Sequence, residues 1–167
     1  FTNVNISDVA KPYANPVIFL LLGGFILGLG FQKSNLHLRF AMLVLKKIGS
    51  TKKSILGGII LSTAFLSMWI SNTATTLIML PIALAILSHV DNKKLKVALI
   101  LGIAYAASVG GIGTPIGTPP NVIFMGIYEE HTGLEFSFLQ WMKIGLPVVL
   151  ISLPIMALWL TRNVTLE

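Results

Sequence analysis

GGIGTPIGTPPN, residues 110–121, lies inside a run from Val97 to Tyr128 that holds no charged side chain. Such a run reads as a segment meant for hydrocarbon, yet its middle is four glycines, three prolines, two threonines and an asparagine. Pro115, Pro119 and Pro120 lack amide donors and block helix continuation. Gly110, Gly111, Gly113 and Gly117 allow backbone conformations that branched residues resist, and permit close approach. The run is therefore expected to be a helix broken near its midpoint. Such a break frees carbonyl oxygens that can hold a hard cation, and its second half presents a positive helix end.

Composition supports a lipid setting. The chain of 167 residues is 54% hydrophobic and 11% charged, with a mean hydropathy of +0.85; soluble domains carry about 25% charged residues. A net charge of +6 could suggest nucleic acid. The basic residues instead cluster in short connectors between apolar runs and form no continuous stripe, so no nucleic-acid partner is expected. No cysteine is present, which excludes disulfide scaffolds and thiolate metal sites. Because the chain starts at Phe1 and shows no signal-peptide pattern, it is expected to be a piece of a longer protein.

Four apolar stretches follow one another: Pro16 to Phe31, Ser54 to Ser88, Val97 to Tyr128, and Phe138 to Thr161, the last interrupted only by Lys143. Between the first two, LHLRFAMLVLKKI (36–48) can place Leu36, Phe40, Leu43 and Ile48 on one helical face, with Arg39, Lys46 and Lys47 free to snorkel. That pattern suits an interfacial helix. Lysines flank the second stretch on both sides, Lys52 and Lys53 before it and Lys93, Lys94 and Lys96 after it. Both flanks therefore read as cytoplasmic, and the segment must turn round inside the membrane. As one helix its 35 residues would span over ~50 Å against ~30 Å of hydrocarbon. A re-entrant pair of half-length helices fits better than an ordinary transmembrane hairpin with two short arms. The acidic connector with Glu129, Glu130 and Glu135 suits the outside, and Arg162 returns the chain to the inside.

The expected tip of that hairpin is SMWISNTATT, residues 67–76. Adjacent Ser71, Asn72 and Thr73 compete for backbone hydrogen bonds and favour a cap or turn. A helix beginning near Thr73 then points its N-terminus, with unpaired N–H groups, into the membrane interior. Together the two breaks offer complementary chemistry. The Ser67 and Ser71 hydroxyls, the Asn72 amide oxygen and carbonyls near Gly117 can cage a small hard cation. Helix ends with the Thr73 and Thr118 hydroxyls can hold a carboxylate. No Asp or Glu is available in either stretch, which spares an anionic substrate from repulsion.

At these residues the sequence resembles the divalent-anion/sodium symporter family. The resemblance rests on Ser71-Asn72-Thr73, followed about 45 residues later by Gly117-Thr118-Pro119-Pro120-Asn121. It implies an all-α integral membrane protein of the cell (inner) membrane, multi-pass. The chain would be one half of an inverted-repeat transporter with a re-entrant helical hairpin and a discontinuous transmembrane helix. Residues 1–53 would end the scaffold portion, with a transmembrane helix at 16–31 and an interfacial arm at 36–48. Residues 54–167 would belong to the transport portion, with a hairpin at 54–88, a broken helix at 97–128 and a transmembrane helix at 138–161. By resemblance, Ser67, Ser71, Asn72 and Gly117 match a sodium site, and Asn72, Thr73 and Pro119 match positions facing the substrate carboxylate. Sodium would be the coupling ion, with no organic cofactor. The partners implied are a small anionic substrate such as a di- or tricarboxylate, membrane lipid, a second copy in a homodimer, and the missing C-terminal repeat. Transport would be of the elevator type.

Three rival readings stand beside this one. The same fold could serve an anion exchanger, a proton-coupled carrier or a sulfate transporter. An intramembrane hydrolase would need Asp, His or metal ligands at depth, and the stretches hold no Asp, Glu or His. A structural membrane subunit would tolerate loss of Asn72 and Thr73. Of the remaining residues, Trp69 is expected to pack beside the hairpin tip, Trp141 and Trp159 to anchor opposite ends of the last stretch at the interfaces, and His37, His89 and His131 to be solvated. Asn5-Ile6-Ser7 matches a glycosylation sequon by a motif short enough to recur by chance.

Overall fold

Capping side chains decide where the helices start. Thr51 Oγ1 accepts from Ser54 N at 3.2 Å, Ser71 Oγ from Ala74 N at 3.3 Å, and Asn92 Oδ1 from Leu95 N at 2.8 Å. Each relieves an orphan donor of a first turn. The computed structural model describes residues 16–48, 51–88 and 92–162, together with Ile6 and Tyr13. Their helices, in chain order, are α1 (Pro16–Lys33), α2 (Leu36–Ile48), α3 (Lys52–Ser67), α4 (Asn72–Leu87), α5 (Lys93–Gly111), α6 (Pro119–Thr132) and α7 (Phe138–Arg162). No strand occurs among the described residues.

The largest interface joins α3 to α5, and α4 and α7 also pack on α5. Small residues recur on α5 at Ala98, Gly102, Ala106 and Gly110, one turn apart. Such a stripe lets a neighbouring backbone come close. A Cβ at Gly110 would collide with the Ala64 backbone. Leu56, Ile59 and Leu66 of α3, Met79 of α4, Leu95, Leu99 and Ile103 of α5 and Val149 of α7 close the core around this contact.

The outside is apolar as well. Leu139, Leu150, Ile151, Ile155 and Leu158 of α7 are all exposed, as are Phe19 and Leu29 of α1. Water would not tolerate an apolar surface of this extent, whereas hydrocarbon matches it. α5 and α7 are long and apolar enough to cross a membrane. α1 and α2 meet at a bend of 69°, where Asn35 takes a left-handed φ of 52°. Pro81 in α4 and Pro147 and Pro154 in α7 are accommodated inside continuous helices. Among the described residues the chain is helical without strands, with the apolar surface of an integral membrane protein.

The α2 face departs from the expectation. Phe40 stacks on Phe65 of α3, with ring centroids 4.3 Å apart, while Leu36 and Leu43 remain exposed. The helix instead seats His37 and Ala41 inward. His37 is therefore not solvated. It is 7% exposed, and Nδ1 lies 3.1 Å from the Phe31 carbonyl oxygen, because the α1–α2 bend folds it back over the end of α1. His131 is exposed as expected; His89 and the Asn5 sequon lie outside the described residues.

Candidate functional site

The expected breaks are both present. The first occupies residues 68–71 between α3 and α4, and the second residues 112–118 between α5 and α6. At the first, Ser71 is the N-cap of α4, and its hydroxyl accepts from Ala74 N. Thr75 N is taken by the Ser71 carbonyl at 2.9 Å. The amides of Asn72 and Thr73 thus lead the first turn of α4, and the Thr73 side chain is exposed beside them. Thr76 Oγ1 turns back onto the Asn72 carbonyl at 2.8 Å.

The second break is tied to the first by buried polar bonds. Thr114, fully buried, donates its hydroxyl proton to the Met68 carbonyl oxygen. Asn121, 6% exposed, donates from Nδ2 to the carbonyls of Gly111 and Thr114, each at 2.8 Å. A buried amide that fastens two carbonyls from a broken helix satisfies acceptors which hydrocarbon could not. The loop is therefore a defined structure and not a slack connection.

Between the breaks sits a cluster of uncharged oxygens. Ser67 Oγ lies 2.7 Å from Asn72 Oδ1 and 2.7 Å from the Ala107 carbonyl oxygen. A hydroxyl has one proton for two acceptors, so with this amide orientation the group is one donor short. Gly117 and Gly111 border the same cluster. A Cβ at Gly117 would collide with the Gly111 carbonyl oxygen and lie 2.9 Å from that of Ser67. One at Gly111 would lie 2.5 Å from Asn72 Oδ1. Residues without side chains at 111 and 117 thus let the two breaks approach closely.

Ser67, Asn72 and Gly117 are thus brought together. Ser71 is adjacent in sequence, and its hydroxyl oxygen accepts from Ala74 N in the cap, which leaves a second lone pair. It borders a cavity of about 230 Å³ shared with Gly24, Gly28, Gln32, Trp69 and Ile116. Thr73 and Pro119 are exposed and Thr118 is half-buried, all outside the oxygen cluster. Thr118 is the N-cap of α6 but makes no side-chain cap bond.

The start of α6 differs from that of α4 in its supply of donors. Pro119 and Pro120 fill its first two positions, and proline has no N–H. The amide of Asn121, next in line, bonds the Thr118 carbonyl at 3.1 Å. α6 keeps its dipole but offers few donors to an anion.

Three residues went unrecognised in the sequence. Thr114 and Asn121 were read only as part of a breaker motif. The doubled Gly-Thr-Pro of residues 113–115 and 117–119 is the signal that set Thr114 beside Thr118 as a second hydroxyl of interest. Trp141 was assigned to the interface, yet its indole Nε1 donates to the Ile112 carbonyl at 2.8 Å. Trp69 does pack beside the first break, half-buried, with its Nε1 shielded from solvent.

Interrupted apolar helices with polar groups gathered at the breaks are an arrangement used by membrane transporters. A family model described as "Citrate transporter" matches residues 1–167, and the chain belongs to that family, one of transporters and not enzymes. It is 43% identical to the sodium-dependent dicarboxylate transporter SdcS of Staphylococcus aureus strain USA300, over 92% of this chain and 32% of that protein. The protein of the same name from strain NCTC 8325 matches to the same extent. The chain therefore spans about a third of the length of these curated relatives.

Proposed function

We propose that this chain forms one repeat of a sodium-coupled carrier for a small divalent carboxylate. Sodium is held by Ser67, Ser71, Asn72 and Gly117. The substrate carboxylate faces Asn72, Thr73, Thr118 and Pro119, with the two free amides of α4 as its main donors. The observation that carries this reading is the convergence of Ser67 Oγ and Asn72 Oδ1 at 2.7 Å, beside a Gly117 that admits no side chain. The matching relatives, named as sodium-dependent dicarboxylate transporters, support it.

The coupling follows from electrostatics. An empty cluster is rich in acceptors and repels an anion; a sodium ion in it reverses the sign felt by the carboxylate a few ångströms away. Anion affinity therefore rises with sodium occupancy, and by linkage sodium affinity rises with anion occupancy. Each tenfold sodium gradient contributes about 1.4 kcal/mol per ion moved. Residues 54–88 and 97–128 contain no titratable carboxylate or imidazole, so this repeat brings no proton carrier of its own in those stretches. An elevator motion is proposed for the transport step, with residues 54–167 moving against a scaffold that includes α1. A second repeat completes the binding site, and a homodimer in the cell membrane is the proposed assembly. The family description favours a tricarboxylate as a second reading, because the exposed α4 end sets no limit on a third carboxyl group.

The test is uptake of radiolabelled succinate by proteoliposomes containing the intact polypeptide. Uptake driven by an inward sodium gradient should vanish when choline replaces sodium. Equal uptake in both media overturns sodium coupling. Competition by unlabelled citrate decides between the two substrate readings.

A further inference from the structure

Trp141 is placed to do more than anchor a helix in the bilayer. α5 ends at Gly111, and the chain tightens there: Ile112 N bonds the Val109 carbonyl at 3.2 Å and Gly113 N that of Gly110 at 2.9 Å. The Ile112 carbonyl is next in line, and among the described residues no backbone amide outside the regular helices takes it. The Trp141 indole takes it instead, from the first turn of α7, at 2.8 Å. One turn further along α7, Gly145 is buried against the same oxygen, so closely that a Cβ there would collide with it. That Cβ position is 3.2 Å from Trp141 Nε1. Trp141 and Gly145 thus form a niche shaped for one carbonyl.

The ring is also held from the far side of the break. Phe124, in the second turn of α6, meets Trp141 edge-on with centroids 5.8 Å apart, and Phe136 meets it at 6.2 Å. Trp141 therefore bonds the chain just before the second break and packs on the helix just after it. Edge-to-face ring pairs of this kind restrict ring rotation as well as burying area. The remaining ties of the loop, from Thr114 and Asn121, run to the first break and to the loop itself. Trp141 is the tie to α7.

We infer that Trp141 is a positioning residue of the cation site: its N–H fixes the Ile112 peptide and so sets where Gly117 meets Ser67. This inference rests on the sodium-coupled reading above. Rotation of the Ile112–Gly113 peptide would carry the glycine-rich loop with it, and Gly117 has no slack against the Gly111 and Ser67 carbonyls. Removing the N–H leaves a shielded carbonyl without its donor, a loss of about 1–2 kcal/mol, which is roughly a tenfold change in an equilibrium constant.

The experiment is a sodium titration of succinate uptake by proteoliposomes carrying the intact wild-type protein, Trp141→Phe, Gly145→Ala or Trp159→Phe. Uptake is normalised to inserted protein. Trp141→Phe keeps an aromatic ring and lacks the donor. It should raise half-saturating sodium about tenfold with little change in maximal rate. Gly145→Ala pushes on the same carbonyl from the opposite side and should shift sodium dependence in the same direction. If Trp141→Phe fails to insert, Gly145→Ala decides. Trp159→Phe, at the other end of α7 and largely exposed, should titrate like wild type. Sodium-dependent wild-type uptake with unchanged half-saturating sodium in Trp141→Phe overturns the positioning role alone, as does a loss confined to maximal rate or abundance. Sodium-independent wild-type uptake overturns the coupling reading and this inference with it.

Discussion

The break at residues 68–71 takes four residues and no proline, whereas the break at 112–118 takes seven, contains Pro115 and runs into Pro119 and Pro120. At the first, Ser71 restarts the helix with a side-chain cap, and α4 opens with N–H groups free to face an anion. At the second, prolines strip the donors from the α6 start, while Gly111 and Gly117 hold backbone oxygens close together. Two interruptions that look alike in hydropathy thus do different chemistry. On the proposed reading, one is a donor end for the negative solute and the other an acceptor wall for the positive one. Asn72 stands between them, its amide oxygen beside Ser67 Oγ and its backbone N–H in the first turn of α4.

The sharpest way to break this contrast is to fill the acceptor wall. Gly117→Val should cut sodium-driven uptake by about a hundredfold or more, from about 3 kcal/mol of overpacking against fixed carbonyls. Initial rates per inserted protein measure it, and near-wild-type rates would mean the wall is not there. Asn72→Ala removes the shared oxygen, and half-saturating sodium should rise about tenfold, the usual loss for a hydrogen bond to charge. Thr114→Val unfastens the two breaks without touching the proposed ligands. It should lower unfolding stability in detergent by about 1–2 kcal/mol, read as a fall in the thermal midpoint. The smallest effects separate the two helix ends. Thr73→Val should raise half-saturating succinate about threefold, and Pro120→Ala should alter it less than about twofold. A larger effect at Pro120 than at Thr73 would reverse the assignment of donor and acceptor sides.

Much of this was legible before any coordinates. Glycine, proline and the Ser-Asn-Thr triplet mark both breaks because each removes or diverts a helical hydrogen bond locally. Ser67, Asn72 and Gly117 were readable as a set for the same reason. The scarcity of donors at the α6 start is also written in the sequence, since prolines at its first two positions lack N–H groups. Other features depend on packing that no local rule encodes. Ser71 can serve as a cap, as a cation ligand or as both, and the α4 start shows its hydroxyl in the cap. Asn121 and Thr114 acquire their roles from carbonyls that exist only once the helix is broken in a particular way. His37 is buried because of a 69° bend, which its own helical face does not announce. Trp141 near a helix end satisfies the rule for interfacial tryptophans, and that rule concealed a partner 29 residues away.

Equilibrium binding of radiosodium to the purified intact protein probes the meeting of the two breaks most directly. Asn72→Ala and Gly117→Ala, on different breaks and 45 residues apart, should each abolish or weaken the same single class of sodium sites. The double variant should lose no further class. Isotherms identical to wild type in both, or the loss of different classes by each, would show that the broken helices do not share a cation.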